Sequence, residues 1–473
     1  MIILIILNNH NSFSIVDLCA DLQREDSTII LHTVCAPEFA KANTEKLEKR
    51  GLTPHFLDPR EELNASSGSS YVNRVKVLEQ KLRCTSNEEG LFAWFKRKAV
   101  KHALSTSVYA MAREWRIVRR FREKQKQALK LLEQLQPDVV LSLTDRSHDY
   151  VEGPLLWASQ KSGIPVVLPY VAQFDMDAAV AYRHGIDGRV DPELCTWQQF
   201  SLYKFATYLR LRDQLYQGLF FQAPYILNAA RRVGILSCYP WWTGNGLSDV
   251  VCVDSTYVAQ QYTEHRVPSE KLAVVGHAQF DRVFRSCKDR SSLRAFLIQQ
   301  YQLNEEGHLL ILSVPQYAEQ GYMSWNDHWR DIEDIIENVS KTGMNLLLSI
   351  HPRSDIREYK YLEEKYGCRI ASAQLADIIG AADIFLASNS TTLIWAVLAG
   401  IRSVSLKTPV KYLYGHLSSI VNVQDSKAIG IEINNLLSES PFDFSSDWNL
   451  ISKDSVFDGE FKVRFIKLIK DKL

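Results

Sequence analysis

No two of the eight cysteines of this chain form a C-x-x-C pair; they stand at Cys19, Cys35, Cys84, Cys195, Cys238, Cys252, Cys287 and Cys368. A zinc ribbon or a thioredoxin-type redox site is excluded by that spacing, and scattered thiols in a chain this large point to a reducing compartment. An excess of charge of one sign is also missing, since 55 Lys and Arg balance 55 Asp and Glu. Nucleic acid as the main partner is excluded with it, because binding a phosphate backbone needs a large positive surplus. Glycine (21) and proline (15) are modest, and there is no internal repeat or low-complexity tract, so the chain is neither collagen-like nor largely disordered. The opening apolar run MIILIIL has no Lys or Arg before it; it is too short for a signal peptide and far short of the roughly 20 residues of a membrane span. It reads as a first β-strand, and the protein as cytoplasmic.

What is present is core material. The 473 residues are 46% hydrophobic and include 10 Trp, 20 Tyr and 20 Phe, enough for two domains or three at about 150 residues each. Apolar runs at 2–7, 28–34, 53–57, 139–143, 165–168, 250–253 and 272–275 alternate with helical patterns such as 13–22, 39–49 and 155–161. A second series of strands is expected at 309–314, 345–350, 368–370, 384–387 and 403–406, again separated by helices. Continuous apolar strands between amphipathic helices mark parallel sheets covered on both faces. The expected class is therefore α/β, with two doubly wound Rossmann-like units that face an interdomain cleft and meet near residues 276–290. Residues 61–105 and 176–247 break the rhythm and read as insertions, and residues 107–136 read as one long helix ended by Pro137.

The chemistry-bearing residues cluster at strand ends. In Ser349-Ile350-His351-Pro352-Arg353 a histidine ends a strand and the proline behind it stiffens the turn. An imidazole there can donate to a phosphate oxygen, and Arg353 can add a charge-assisted contact. In Ser388-Asn389-Ser390-Thr391-Thr392 four hydroxyls and an amide stand between a strand and a helix, where free backbone N–H groups favour an anion. Ordinary capping needs only one of them. Gln316 and Tyr317 follow the first strand of the second series, His277 follows Val275-Gly276, and the Asn-rich turn 8–12 follows the first strand of all.

The order of these two motifs, with Val275-Gly276-His277-Ala278-Gln279-Phe280-Asp281 ahead of them, resembles GT-B-type glycosyltransferases over residues 250–410. Within that superfamily the His-Pro element followed by a Ser/Thr-rich element is similar to enzymes that use CMP- or CDP-linked donors, such as bacterial sialyltransferases, Kdo transferases and glycerophosphotransferases. The resemblance implies that His351 contacts the donor phosphate and that Ser388, Ser390 and Thr391 bind the phosphate or the departing nucleotide, with Arg353, Asn389, Thr392, Gln316 and His277 in reach. Trp395 stands where many UDP-sugar enzymes carry a ribose-binding Glu, which favours a cytidine donor over a uridine one. The same fold and His-Pro element occur in UDP-GlcNAc 2-epimerases. That isomerase reading is the alternative, and a non-catalytic nucleotide-sugar-binding subunit is a third.

A general base is expected from the first half, where Asp145, His148, Asp149 and Glu152 follow the strand 139–143. An inverting transfer needs one such group to deprotonate the acceptor hydroxyl. Asp145, closest to the strand end, is preferred, with Glu152 and Asp149 as rivals; a charged first helical turn would show the same residues. Asp175-Met176-Asp177 has the D-x-D form of metal-dependent transferases, but such triplets arise by chance, and no metal or cofactor is assigned. Two basic stretches, 107–136 and FKVRFIKLIKDKL at the end, have apolar stripes that suit either an anionic membrane surface or packing within the protein. The expected layout is an acceptor-side domain over 1–285 with helical insertions near 61–135 and 176–247, a nucleotide-sugar domain over 286–445, and a basic helix over 446–473 that crosses back. The expected role is transfer of a sugar from a nucleotide donor to a glycan or lipid-linked acceptor in bacterial surface polysaccharide synthesis, at the cytoplasmic face of the membrane.

Overall fold

The computed structural model describes residues 1–8, 12–57, 107–146, 149–170, 224–237, 242–319, 323–351, 354–388, 390–407 and 412–472. The chain divides into two compact units. The first is Met1–Cys252 with Tyr262–Ala273 and Ile469–Leu473; the second is Val253–Gln261 with Val274–Leu468. The expected insertion 61–105, most of 176–247, the Asp175–Asp177 triplet, His148, Arg353 and Asn389 lie outside the described residues.

Each unit is built on a six-stranded sheet. The first holds β1 (Ile2–Leu7), β2 (Ile30–Cys35), β3 (Val139–Leu141), β4 (Val166–Leu168), β5 (Val250–Val253) and β6 (Leu272–Val274), in the order β2-β1-β3-β4-β5-β6. The second holds β7 (Leu309–Ser313), β8 (Asn345–Ser349), β9 (Arg369–Ile370), β10 (Ile384–Ala387), β11 (Arg402–Leu406) and β12 (Ile420–Val423), in the order β12-β11-β10-β7-β8-β9. Ile2 is level with Ile30 in the β1–β2 ladder and Leu309 with Asn345 in the β7–β8 ladder, and both ladders run parallel. The α/β class with two doubly wound parallel units is what the structure shows.

The sequence pattern explains the layers. Successive side chains of a strand point to opposite faces. In β7, Leu309 and Ile311 enter one hydrophobic cluster, with Leu347, Phe385 and Leu393. Leu310 and Leu312 enter another, with Leu346, Leu348, Ile332 and Ile336. Both faces must be apolar, so the strand reads as an unbroken run instead of an alternation. β1 behaves alike, with Ile3 to Leu7 essentially inaccessible.

Three expectations are corrected. The strand expected at 53–57 is reduced to a single parallel bridge, Val34 to His55, in which His55 N donates to Thr33 O and Cys35 N to His55 O; the adjacent Pro54 suits an outermost position, since its N faces away from β2. β12 has no counterpart among the expected strands; its Ile-Val-Asn-Val pattern is that of a sheet edge, with Asn422 exposed. The C-terminal helix Phe461–Lys470 buries Phe461, Phe465 and Ile469, and Asp281 accepts from Phe461 N at 3.1 Å, so its apolar face is not available to a lipid surface. The helix Ser107–Leu135 buries Val118, Phe121, Ala128 and Leu132, while Trp115 of the same stretch is exposed. Among the described residues no helix is long and apolar enough to cross a membrane. The described cysteines, Cys19, Cys35, Cys252, Cys287 and Cys368, are free thiols.

One carboxylate ties the second unit's switch strands together at their amino ends. Asp383 Oδ2, just before β10, accepts from Leu309 N at 2.7 Å and from Arg294 Nη1 at 2.7 Å. Burial alone would raise this carboxyl, but the Leu309 and Arg294 hydrogen bonds outweigh it and hold it below the usual carboxylate range. Such a group contributes stability that is fully present above its unfolded pKa, about 4, and is lost as pH falls through the lower native value. We expect Asp383→Asn to lower the stability of the second unit at neutral pH by roughly 1–3 kcal/mol. In denaturant titrations the variant should approach the parent as pH is lowered below about 4; a gap that stays constant with pH would contradict this ion-linked role.

Candidate functional site

In open α/β sheets a crevice forms beyond the carboxyl ends of the strands where the chain reverses its direction of travel across the sheet. The second sheet reverses between β7 and β10: the chain runs outward through β8 and β9, then returns to the other side of β7. The segments that leave these two strands meet. The Tyr317 hydroxyl, four residues past β7, bonds the Ser388 hydroxyl and the Lys407 carbonyl, which follow β10 and β11. Ser388 Oγ also donates to Lys407 O at 3.4 Å. Tyr317 is buried, and burial pushes its phenol up to about 12, so it remains a protonated donor at neutral pH.

Beyond Ser388 the backbone turns into the helix Thr392–Leu398. Ser390 Oγ accepts from Thr392 N at 3.3 Å and from Thr392 Oγ1 at 2.9 Å, while Ser390, Thr391 and Thr392 all stay partly exposed. Gly400, with φ +70, lets the chain leave the helix. On the other side of β7, His351 follows β8 and is exposed, and Gln316 Nε2 donates to Ser354 Oγ at 3.1 Å. β10, β7 and β8 are consecutive in the sheet. Neighbouring strands lie about 4.8 Å apart, so the three strand ends span a phosphate-sized region.

His277 is held differently from the expectation. It caps the helix Ala278–Lys288, its Nδ1 accepting from Gln279 N at 3.1 Å. Its ring lies 6.4 Å from that of Trp395 in the helix after the Ser-rich turn. The lining of the β7/β10 region is thus made of hydroxyls, an amide side chain and imidazoles, with no carboxylate among the residues named.

The first sheet reverses between β1 and β3. Here Asn8, after β1, donates from Nδ2 to Glu152 Oε1 at 2.7 Å, and Ser142, after β3, donates to the same oxygen at 2.5 Å. Ser12 Oγ accepts from Asn8 N at 3.2 Å. Glu152 is fully buried at the first position of the helix Glu152–Ser162. Ser142 is the member of this cluster that sequence reasoning missed, since a serine at a strand end carries no signal of its own.

The other two carboxylates are spent on the backbone. Asp149 Oδ1 accepts from Val151 N at 2.8 Å and Glu152 N at 2.6 Å, which caps the helix. Asp145 is buried, and its oxygens accept from Gly244 N at 2.8 Å, Gly246 N at 2.8 Å and Ser248 Oγ at 2.6 Å. A Cβ on Gly246 would stand 2.2 Å from the Asp145 carbonyl oxygen, so the loop closes this tightly only with glycine there. Both oxygens of Asp145, the base preferred from the sequence, are thus engaged and turned inward. Arg146 lies beside this pair of acids; burial pushes its guanidinium down while Tyr262, Asp145 and Glu152 pull it up.

Among the described residues no group of three His, Cys, Asp or Glu is arranged to hold a metal ion. No protein-family model and no curated protein matches the chain. Among solved structures it is similar to a UDP-GlcNAc 2-epimerase from Neisseria meningitidis bound to UDP-GlcNAc, with a TM-score of 0.49, 11% identity, 99% of this chain and 100% of that one covered. A UDP-GlcNAc 2-epimerase from Methanocaldococcus jannaschii gives a TM-score of 0.49 at 12% identity, covering 100% of both chains. A glycosyltransferase from Rickettsia africae ESF-5 gives a TM-score of 0.49 at 10% identity, covering 100% of this chain and 98% of that one.

We expect Asp145→Asn to act on stability. It leaves buried N–H donors facing an amide, a cost of about 2–4 kcal/mol by denaturant unfolding. Nucleotide affinity measured on the folded fraction should not change. An unchanged stability with lost turnover would return Asp145 to the chemistry.

Proposed function

We propose that the chain is a GT-B-type glycosyltransferase that moves a sugar from a nucleotide donor, CMP-linked, to a glycan or lipid-linked acceptor of bacterial surface polysaccharide synthesis. The observation that carries the reading is the β7/β10 region, where Tyr317, Ser388 and the Ser390–Thr392 turn meet beside the strand end that bears His351. Hydroxyls and an imidazole are donors, and a nucleotide phosphate is what such donors bind. In this reading the donor site lies in residues 286–445, with Gln316, His351, Arg353, Ser388, Asn389, Ser390, Thr391 and Thr392 around the phosphate and His277 beside Trp395. Donors fixed in advance stabilise the charge that develops on the leaving phosphate oxygen.

Glu152 is assigned the acceptor proton because side chains hold its Oε1, and its full burial requires that the acceptor hydroxyl reach it where Asn8 and Ser142 meet. Its Oε1 is oriented by two side chains, Asn8 and Ser142, from the two strands of the first unit's reversal. Asp145 and Asp149 are instead occupied by backbone amides. Attack of the acceptor oxygen on the anomeric carbon breaks the bond to the phosphate, the proton passes to Glu152, and the nucleotide leaves with the bonding pair.

Two variants test the reading. His351 is exposed, so His351→Ala should weaken nucleotide binding by about five- to thirtyfold in calorimetry, less than a buried contact would. Glu152→Gln preserves the acceptor oxygen for Asn8 and Ser142, and should cut turnover by about 10²–10⁴ at unchanged donor affinity. Normal transfer by Glu152→Gln would remove it as base. Interconversion of UDP-GlcNAc at C2 without any acceptor would assign the chain to the isomerases instead.

A further inference from the structure

A second concave surface lies on the same unit, away from the Ser-rich turn. The helix Trp325–Ser340 opens with Trp325 and Trp329, four residues apart and hence on one face. Their rings lie 6.2 Å apart with planes inclined by only 28°. Tyr361 closes the side, 6.1 Å from Trp329 and inclined by 68°. These three rings and the Glu358 side chain line a shallow hollow of about 490 Å³. Trp325 is 48% exposed and Tyr361 39% exposed.

The rings are fixed from behind. Trp329 lies 4.9 Å from the buried Tyr359, whose hydroxyl donates to Glu319 Oε1 at 3.2 Å. Tyr361 donates to Glu333 Oε1 at 2.9 Å, and Lys365 holds the other oxygen of Glu333 at 2.7 Å. Trp325 meets the buried His328 edge-on at 5.5 Å. Glu319 also accepts from Ser354, which in turn accepts from Gln316 at the end of β7, so this surface and the β7/β10 region share one scaffold.

We propose that this shelf binds a neutral glycan chain. The exposed Trp325 indole, flanked by Trp329 and Tyr361, presents apolar ring surface to which the C–H face of a pyranose ring is complementary, while the Glu358 carboxylate accepts from its hydroxyls. The hollow is open and shallow, a shape that suits a chain lying across it and not a small organic cation, which an enclosing aromatic cage would hold. Charge selects among glycans: the helix Trp325–Ser340 carries five acidic residues against one arginine, which disfavours polyanionic sugars and acidic lipid surfaces. The inference does not rest on the transfer reaction, since it concerns binding alone.

Titration of the full chain with maltotriose, cellotriose and chitotriose, followed by tryptophan fluorescence and calorimetry, tests it; colominic acid and choline serve as anionic and cationic probes. At least one neutral trisaccharide should bind at millimolar concentration or below. Trp325→Ala, at an exposed position that leaves the fold intact by thermal unfolding, should weaken that binding about tenfold, and Trp325→Phe should restore most of it. Absence of binding to all three trisaccharides, equal binding by Trp325→Ala, or preferential binding of colominic acid or choline would each overturn the proposal.

Discussion

Burial of both faces of each parallel sheet is the constraint on which the rest of this structure depends. Leu309 and Ile311 face one apolar layer and Leu310 and Leu312 the other, so these side chains of a central strand are not free to meet a ligand. Polar chemistry is pushed to the segments beyond the carboxyl ends, and the strand order decides which of those segments can meet. Both sheets reverse direction next to their first strand, at β1/β3 and β7/β10, and at both places hydrogen-bonded side chains from the two strand ends meet. The two clusters differ in kind: a carboxylate gripped by an amide and a hydroxyl in the first unit, and a set of hydroxyls in the second.

Several aspartates in this protein serve as clamps for backbone. Asp145 closes the loop around Gly244 and Gly246, Asp149 caps a helix, and Asp383 joins two strands. Asp447 does the same for Ser418 and Ser419, accepting from their amides at 3.0 and 2.7 Å. An acidic residue at a strand end is therefore weak support for acid–base chemistry when backbone amides occupy its oxygens.

Much of the fold was legible because long apolar runs have one physical meaning in a covered sheet. β1, β7 and β10 needed nothing beyond local composition. β12 escaped because an edge strand keeps one wet side, as Asn422 does, and so carries half the signal. At the site, Ser388, Ser390 and Gln316 could be read from their place after strands. The engagement of Asp145 was not legible because its amide partners lie about a hundred residues downstream, and the bond from Asn8 to Glu152 spans 144 residues. Local sequence shows which groups are present; only the closed fold shows which of them are already occupied. The aromatic shelf is a third case, with Trp325 and Tyr361 brought together by two different strand-to-helix connections.

The central claim is that a nucleotide is held where β7 and β10 part. Backbone hydrogen exchange of the full chain, with and without CMP, measures this residue by residue. Slower exchange confined to the peptides around Gln316–Tyr317, His351 and Ser390–Leu393 is the expected result. Protection centred instead on Asn8 and Ser142, or no protection in either unit by CMP, CDP, UDP or GDP, would contradict it.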